Sequence, residues 1–136
     1  MREDLRRDAE AIIRRSIQAV LPDEAVHRAL NGRTFPGKVV LVAAGKAAWQ
    51  MAKAAAEVLP IERGVVITKY GHSGGDLPGL SCFEAGHPVP DENSFRATQA
   101  ALEMVDGLEE TDTVLFLLSG GGSALFEQPL IPVEEL

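Results

Sequence analysis

The chain has 136 residues, 46% hydrophobic and 24% charged, which suits one globular domain with a core of its own. A formal net charge of −7 argues against a nucleic-acid surface, because neutralising a phosphate backbone takes clustered Lys and Arg, which the middle and end of this chain lack. One cysteine, Cys82, excludes an internal disulfide and suits a reducing cytoplasm as a small core residue, and with neither a secretory signal nor an unbroken apolar span, no membrane partner is expected.

In chain order, Leu5, Ala9, Ile12, Ile13, Ile17 and Val20 recur at three- and four-residue intervals and predict an amphipathic helix over Glu3 to Val20. Arg6, Arg7, Arg14 and Arg15 form its solvated face. Pro22 is expected to end it, and Asp23 to cap a second helix running to Leu30 and closed by Asn31-Gly32. Both helices read as a lead-in packed on the domain.

Val39 to Ala43 is a β-branched apolar run, followed by an alanine-rich helix to about Leu59 with Ala48, Met51, Ala52, Ala55 and Val58 facing inward. Gly64 to Lys69 repeats the strand signal, a glycine-rich loop covers Tyr70 to Gly79, and Ser81 to Ala85 is a shorter strand. Asp91 caps a helix whose Phe95, Thr98, Ala101, Leu102 and Val105 share a face. The strand from Thr113 to Leu118, apolar throughout Val114 to Leu118, predicts burial on both faces of a sheet. Pro132-Val133-Glu134-Glu135 resembles a helix start and suggests a piece of a longer protein. The fold class is α/β: a Rossmann-like parallel sheet with helices on both faces, preceded by a helical lead-in.

In such a sheet, ligands bind beyond the carboxyl ends of the strands. Beyond the four strands lie Gly45-Lys46, Lys69-Tyr70-Gly71-His72, Gly86-His87-Pro88 and Ser119-Gly120-Gly121-Gly122-Ser123. Three glycines in succession carry no Cβ, so the backbone can take positive φ and approach an anion closely, with two hydroxyls beside it. Lys46 is placed where a helix begins, a position that favours anions and gives a cation reason to sit beside an anionic ligand. Neither the phosphate-loop pattern nor the dinucleotide fingerprint is present. Lys69 reads equally well as a solvated strand end, and His72 and His87 as ligand donors or as turn hydrogen bonders. The histidine loops show no metal-ligand spacing, although a divalent ion carried by a nucleotide needs few protein ligands.

Together, Ala43-Ala44-Gly45-Lys46-Ala47-Ala48, Val66 to His72, Glu84 to Ser94 and Leu118 to Leu125 resemble, in order and spacing, the amino-terminal domain of class II glycerate kinases, the glycerate 2-kinases whose carboxyl-terminal part is the MOFRL domain. The resemblance implies ATP-dependent phosphorylation of D-glycerate, usually to 2-phosphoglycerate, with ATP and Mg2+ in a cleft between two α/β domains. It implies that Lys46 is the active-site lysine and that Ser119, Gly120, Gly121, Gly122 and Ser123 form the cradle. Lys69, His72, His87 and Asn93 are taken as further substrate or phosphate contacts, and no residue is assigned to a metal. The family's second domain, with its arginine across the cleft, lies outside these residues, so residues 1–136 alone are expected to be inactive. A non-catalytic phosphosugar- or nucleotide-binding module is the alternative reading, and a homo-oligomer, formed through the face a second domain would cover, is the remaining partner.

Overall fold

In the computed structural model, which describes residues 2–136, four strands form one all-parallel sheet in the order β3-β2-β1-β4. The strands are β1 (Val39–Ala44), β2 (Arg63–Lys69), β3 (Leu80–Ala85) and β4 (Thr113–Leu118). β1 lies at the centre, and all six of its residues are buried, as a strand covered on both faces requires. Fully burying a Val or Leu side chain contributes about 1.5–3 kcal/mol, so this short run alone is a strong reason for the sheet to close around it.

Helix α2 (Pro22–Leu30) and helix α3 (Ala48–Val58) cover one face, where Val26, Leu30, Ala52 and Ala55 pack against Leu41, Ala43 and Val66. Helix α4 (Glu92–Val105) and the one-turn α5 (Gly122–Leu125) cover the other, where Ala97, Ala101 and Leu125 meet Val42, Val65 and Ile67. Alternate residues of β1 and β2 thus serve opposite cores, as the two-residue period of a strand dictates. The β2–β3 connection is the glycine-rich loop. It is pinned to α3 by Trp49, whose indole Nε1 donates to the Gly75 carbonyl at 2.8 Å. At the amino-terminal edge of the sheet, the Asp112 carboxylate accepts from the backbone N–H groups of Lys38 (3.0 Å) and Glu109 (2.9 Å) and ties β4 to β1.

Several expectations need correction. Helix α1 (Arg2–Ala19) is as long as its periodicity says, yet none of its residues is buried; Leu5, Ile12, Ile13 and Ile17 stay exposed, so it is no packed lead-in. Pro22 opens α2 instead of only ending α1, and Leu21, which offers no capping side chain, holds the cap position given to Asp23. Val58 and Leu102 lie outside the inward stripes, which instead include Ala54 in α3 and Ser94 and Ala97 in α4. β4 is not buried on both faces: Val114, Phe116 and Leu118 are exposed while their alternates are half-buried. The reason is position, because β4 is an edge strand and α5, which follows it, is one turn long. Phe126 covers part of that face, its ring 5.4 Å from that of Phe116. Cys82 is half-buried beside the α3 core, and that burial pushes its thiol up. Residues Val133–Glu135 make a short 3-10 turn.

Candidate functional site

The chain runs from β1 outward through β2 to β3, then returns to add β4 on the other side of β1, so the strand order reverses between β1 and β4. In an open parallel sheet, that reversal splits the loops at the carboxyl edge and leaves a crevice there. Ala44 and Leu118 end the two strands at the same level. The residues that follow them are Gly45-Lys46 and Ser119 to Ser123, so the topology brings together the segments singled out from the sequence.

The two loops are bound to each other directly. The Lys46 N–H donates to the Gly120 carbonyl (2.9 Å), the Ser119 N–H to the Ala44 carbonyl (2.9 Å), and the Ala47 N–H to the Ser119 hydroxyl (3.0 Å). Gly45 has φ +123°, and a methyl group there would overlap the Ser119 hydroxyl, so only glycine fits. Lys46 stands in the turn before α3, two residues ahead of its first helical residue and not in its first turn. Its side chain is exposed and runs along the glycine loop: a methyl at Gly121 would lie 3.4 Å from Lys46 Cγ, and one at Gly120 would lie 3.9 Å from Cε. Lys46 has no ion-pair partner among the described residues.

His87 comes to the same place from β3. Gly121 has φ +87°, and a methyl there would sit 2.7 Å from His87 Nε2. Lys46, Gly120, Gly121 and His87 therefore form one contact group. His72 lies behind it, with its Nδ1 3.3 Å from the Lys46 carbonyl, which also accepts from the fully buried Thr68 hydroxyl at 3.5 Å. Gly122 is buried at the start of α5, and Ser123 is exposed beside it. Lys69 is half-buried at the end of β2, one strand further from the crevice than Lys46.

Two of the residues singled out are committed to the fold. The Ser119 hydroxyl accepts from Ala47 and reaches the Ala44 carbonyl at 3.5 Å, so it struts the loops together. The Asn93 amide donates to the Tyr70 hydroxyl at 2.7 Å. Thr68, Tyr70 and Glu84 were not singled out, although each holds a loop of the site. Glu84 Oε1 accepts from the N–H groups of Gly71 and Ser73, both at 3.1 Å. A charge inside the apolar run Ser81 to Ala85 was the available signal for it.

Asp91 behaves as its position after Pro90 predicts. It caps α4 in a capping box: its carboxylate accepts from the Ser94 N–H (3.2 Å), and the Ser94 hydroxyl accepts from the Asp91 N–H (3.1 Å). Burial raises the Asp91 carboxyl, but the Tyr70 hydroxyl, the Gly86 N–H and Ser94 outweigh it and hold it below the ordinary carboxylate range. The hydrogen bond to Asp91 raises the Tyr70 hydroxyl in turn, against a smaller opposing pull from Asn93. A carboxyl lowered by folding stabilises the fold above its unfolded value of about 4 and loses that contribution as pH falls through the folded value. Asp91→Asn keeps a good cap and removes the charge. Below about pH 4 its urea midpoint should therefore fall less steeply than that of the unaltered chain; parallel curves would contradict this.

The carboxylates of Glu84 and Asp91 are thus occupied by amides and hydroxyls, and the described residues contain no group of three or more His, Cys, Asp or Glu placed to hold a metal ion. The arrangement fits an anion: a free ammonium, an imidazole and a backbone stretch without Cβ atoms converge at the switch point of the sheet.

The profile of the family described as "Domain of unknown function (DUF4147)" matches residues 8–136. The chain is 56% identical to a D-glycerate 2-kinase of Thermotoga maritima, over 98% of this chain and 33% of that protein. It is 41% identical to a glycerate 2-kinase of Pyrococcus horikoshii, over 93% of this chain and 31% of that protein. The crystal structure of a glycerate kinase from Thermotoga maritima superposes with a TM-score of 0.88 at 56% identity, covering 98% of this chain and 33% of that one. The chain thus spans about a third of the length of these relatives. The resemblance read from the four segments and the α/β fold class are borne out. No helix among the described residues is long and apolar enough to cross a membrane.

Proposed function

We propose, from the fact that this chain belongs to the DUF4147 domain family, that residues 1–136 are the amino-terminal α/β domain of an ATP-dependent D-glycerate kinase forming 2-phosphoglycerate. The observation that carries the reading is the meeting of Lys46, the Gly120-Gly121 backbone and His87 at the one point where the strand order reverses.

Phosphoryl transfer asks little covalent chemistry of a protein; positioning and electrostatic stabilisation do most of the work. Bound magnesium-ATP would supply the phosphoryl group and the ion's countercharge. The chain's own residues supply the rest of this half of the site. Lys46 places a free ammonium beside a backbone that an anion can approach without meeting a Cβ, and it balances charge that builds on the transferring group. The glycine loop fixes where that anion sits, because the Lys46 N–H and the Ser119 hydroxyl tie it to the end of β1. His87, against Gly121, offers a ring nitrogen to a phosphate or to the glycerate carboxylate. With Glu84 and Asp91 occupied, an ion would be carried by phosphate oxygens and not by a carboxylate set from this domain.

The test is ADP release coupled to D-glycerate. The complete kinase, joined to its second domain in the cytoplasm, should turn over in a strictly glycerate-dependent way, whereas residues 1–136 alone should show little or no turnover. ADP release by the complete protein that is indifferent to D-glycerate would refute the reading. Robust turnover by the 136-residue chain would refute the need for an opposing domain.

A further inference from the structure

The turn that carries His87, between β3 and α4, is held by a small polar web that the kinase reading does not use. Gly86 opens the turn so close to Asp91 that a methyl there would lie 2.9 Å from Asp91 Oδ2. That oxygen accepts from the Tyr70 hydroxyl at 2.8 Å, while Asp91 Oδ1 is occupied with Ser94. The Tyr70 oxygen accepts from Asn93 Nδ2 at 2.7 Å, so its hydroxyl bridges the last residue of the turn and the first turn of α4. Tyr70 is itself fixed through its N–H to the Ala85 carbonyl (3.3 Å), and the loop after it through Glu84. The far end of the turn, at Asp91, is thus held by the Tyr70 phenol and its near end by the Tyr70 N–H on Ala85 and by the closeness of Gly86 to Asp91, and between them stands His87, against Gly121.

We propose that Tyr70 is a positioning residue whose hydroxyl, bridging Asp91 and Asn93, sets the β3–α4 turn so that the His87 imidazole lies against Gly121 beside Lys46. The capping box needs only Asp91 and Ser94, so α4 would form without Tyr70. Of the two extra hydrogen bonds, one ends on Asp91 at the close of the turn and the other on Asn93 in the first turn of α4, so the turn is tied to a helix that is already capped. The phenol is the suitable group, because one oxygen must donate to a carboxylate and accept from an amide at once, on a rigid stem that reaches across from the next strand. The role of His87 as a ligand contact rests on the kinase reading; its placement by Tyr70 does not.

The experiment therefore avoids ATP and glycerate. The full chain, labelled at its histidines and amides, is compared with Tyr70→Phe by nuclear magnetic resonance, with His27, paired to Glu57 on the far side of α2 and α3, as internal control. In Tyr70→Phe the cross-relaxation between the His87 ring and Gly121 should fall severalfold. The Gly86 amide should exchange roughly tenfold faster, as expected for one lost buttress. Ser94 amide protection and the His27 ring's contact with Glu57 should stay as they were. Asn93→Ala, which removes only one arm, should shift His87 in the same direction by less, and it serves as the test if Tyr70→Phe does not fold. Unchanged His87 contacts in a folded variant would overturn the proposal. So would equal loosening of Ser94 and Gly86, which would make Tyr70 a general support of α4.

Discussion

On the proposed kinase reading, replacing Lys46 by alanine in the complete protein should cut kcat by about three orders of magnitude or more while the domain stays folded, since a charge-stabilising contact to a transferring phosphoryl group would be worth that much. The lysine is exposed and unpaired among the described residues, so its removal strands no buried partner and leaves the cores on either side of the sheet untouched. Its backbone contacts, to the Gly120 carbonyl and from Thr68 and His72, do not depend on the side chain. If the ammonium acts chiefly on the transition state, kcat and kcat/KM should fall together, and the KM for D-glycerate should move little. Lys69→Ala is the matched control: it too removes a lysine at the carboxyl edge, one strand further from the crevice, and should cost far less. Near-normal turnover by Lys46→Ala, or equal losses for the two variants, would remove Lys46 from the chemistry.

How much of this site could be read from the sequence depends on what each segment needed in order to be placed. The strands read over residues 39–43, 64–69 and 113–118 announce themselves, because short apolar runs close to turn residues have few alternatives in a chain of this size, and the structure adds one residue to each of the first two. Once they are parallel, the clusters past their ends share an edge automatically. Which clusters touch was not legible: that depends on the reversal of strand order between β1 and β4, a long-range pairing without local signature. The same blindness explains β4. An apolar run records only that its residues can be buried, and Phe116 and Leu118 look no different from Val40 and Val42 until the sheet gives one strand two neighbours and the other an edge. Helix α1 shows the limit for periodicity, whose stripe of Leu5, Ile12, Ile13 and Ile17 fixes the element but not a partner for it. The off-by-one stripes in α3 and α4 are smaller errors of one kind: alanine and serine, too small to weigh in a hydrophobic pattern, are the residues that fit closest to a sheet.

Gly45→Ala should be the most damaging single methyl at the site. Two effects act together there. The backbone has φ +123°, far from any conformation that alanine holds without strain, at about 1–3 kcal/mol. The new methyl would also fall on the Ser119 hydroxyl and its carbonyl, atoms that cannot swing away because Ser119 is bound to Ala44 and Ala47. Overpacking of that kind costs about another 1–3 kcal/mol. Together they should lower the midpoint of thermal unfolding by on the order of 10 °C in a domain of this size. Gly71→Ala separates the two effects, since Gly71 also has positive φ, +77°, but open space where the methyl would go. It should show the strain alone and roughly half the loss or less. The comparison bears on function as well as stability, because the contact Gly45 permits is the one that holds the glycine loop beside Lys46. If Gly45→Ala melts no lower than Gly71→Ala, the β1 and β4 loops are not pressed together as described, and the anion site built on their contact loses its foundation.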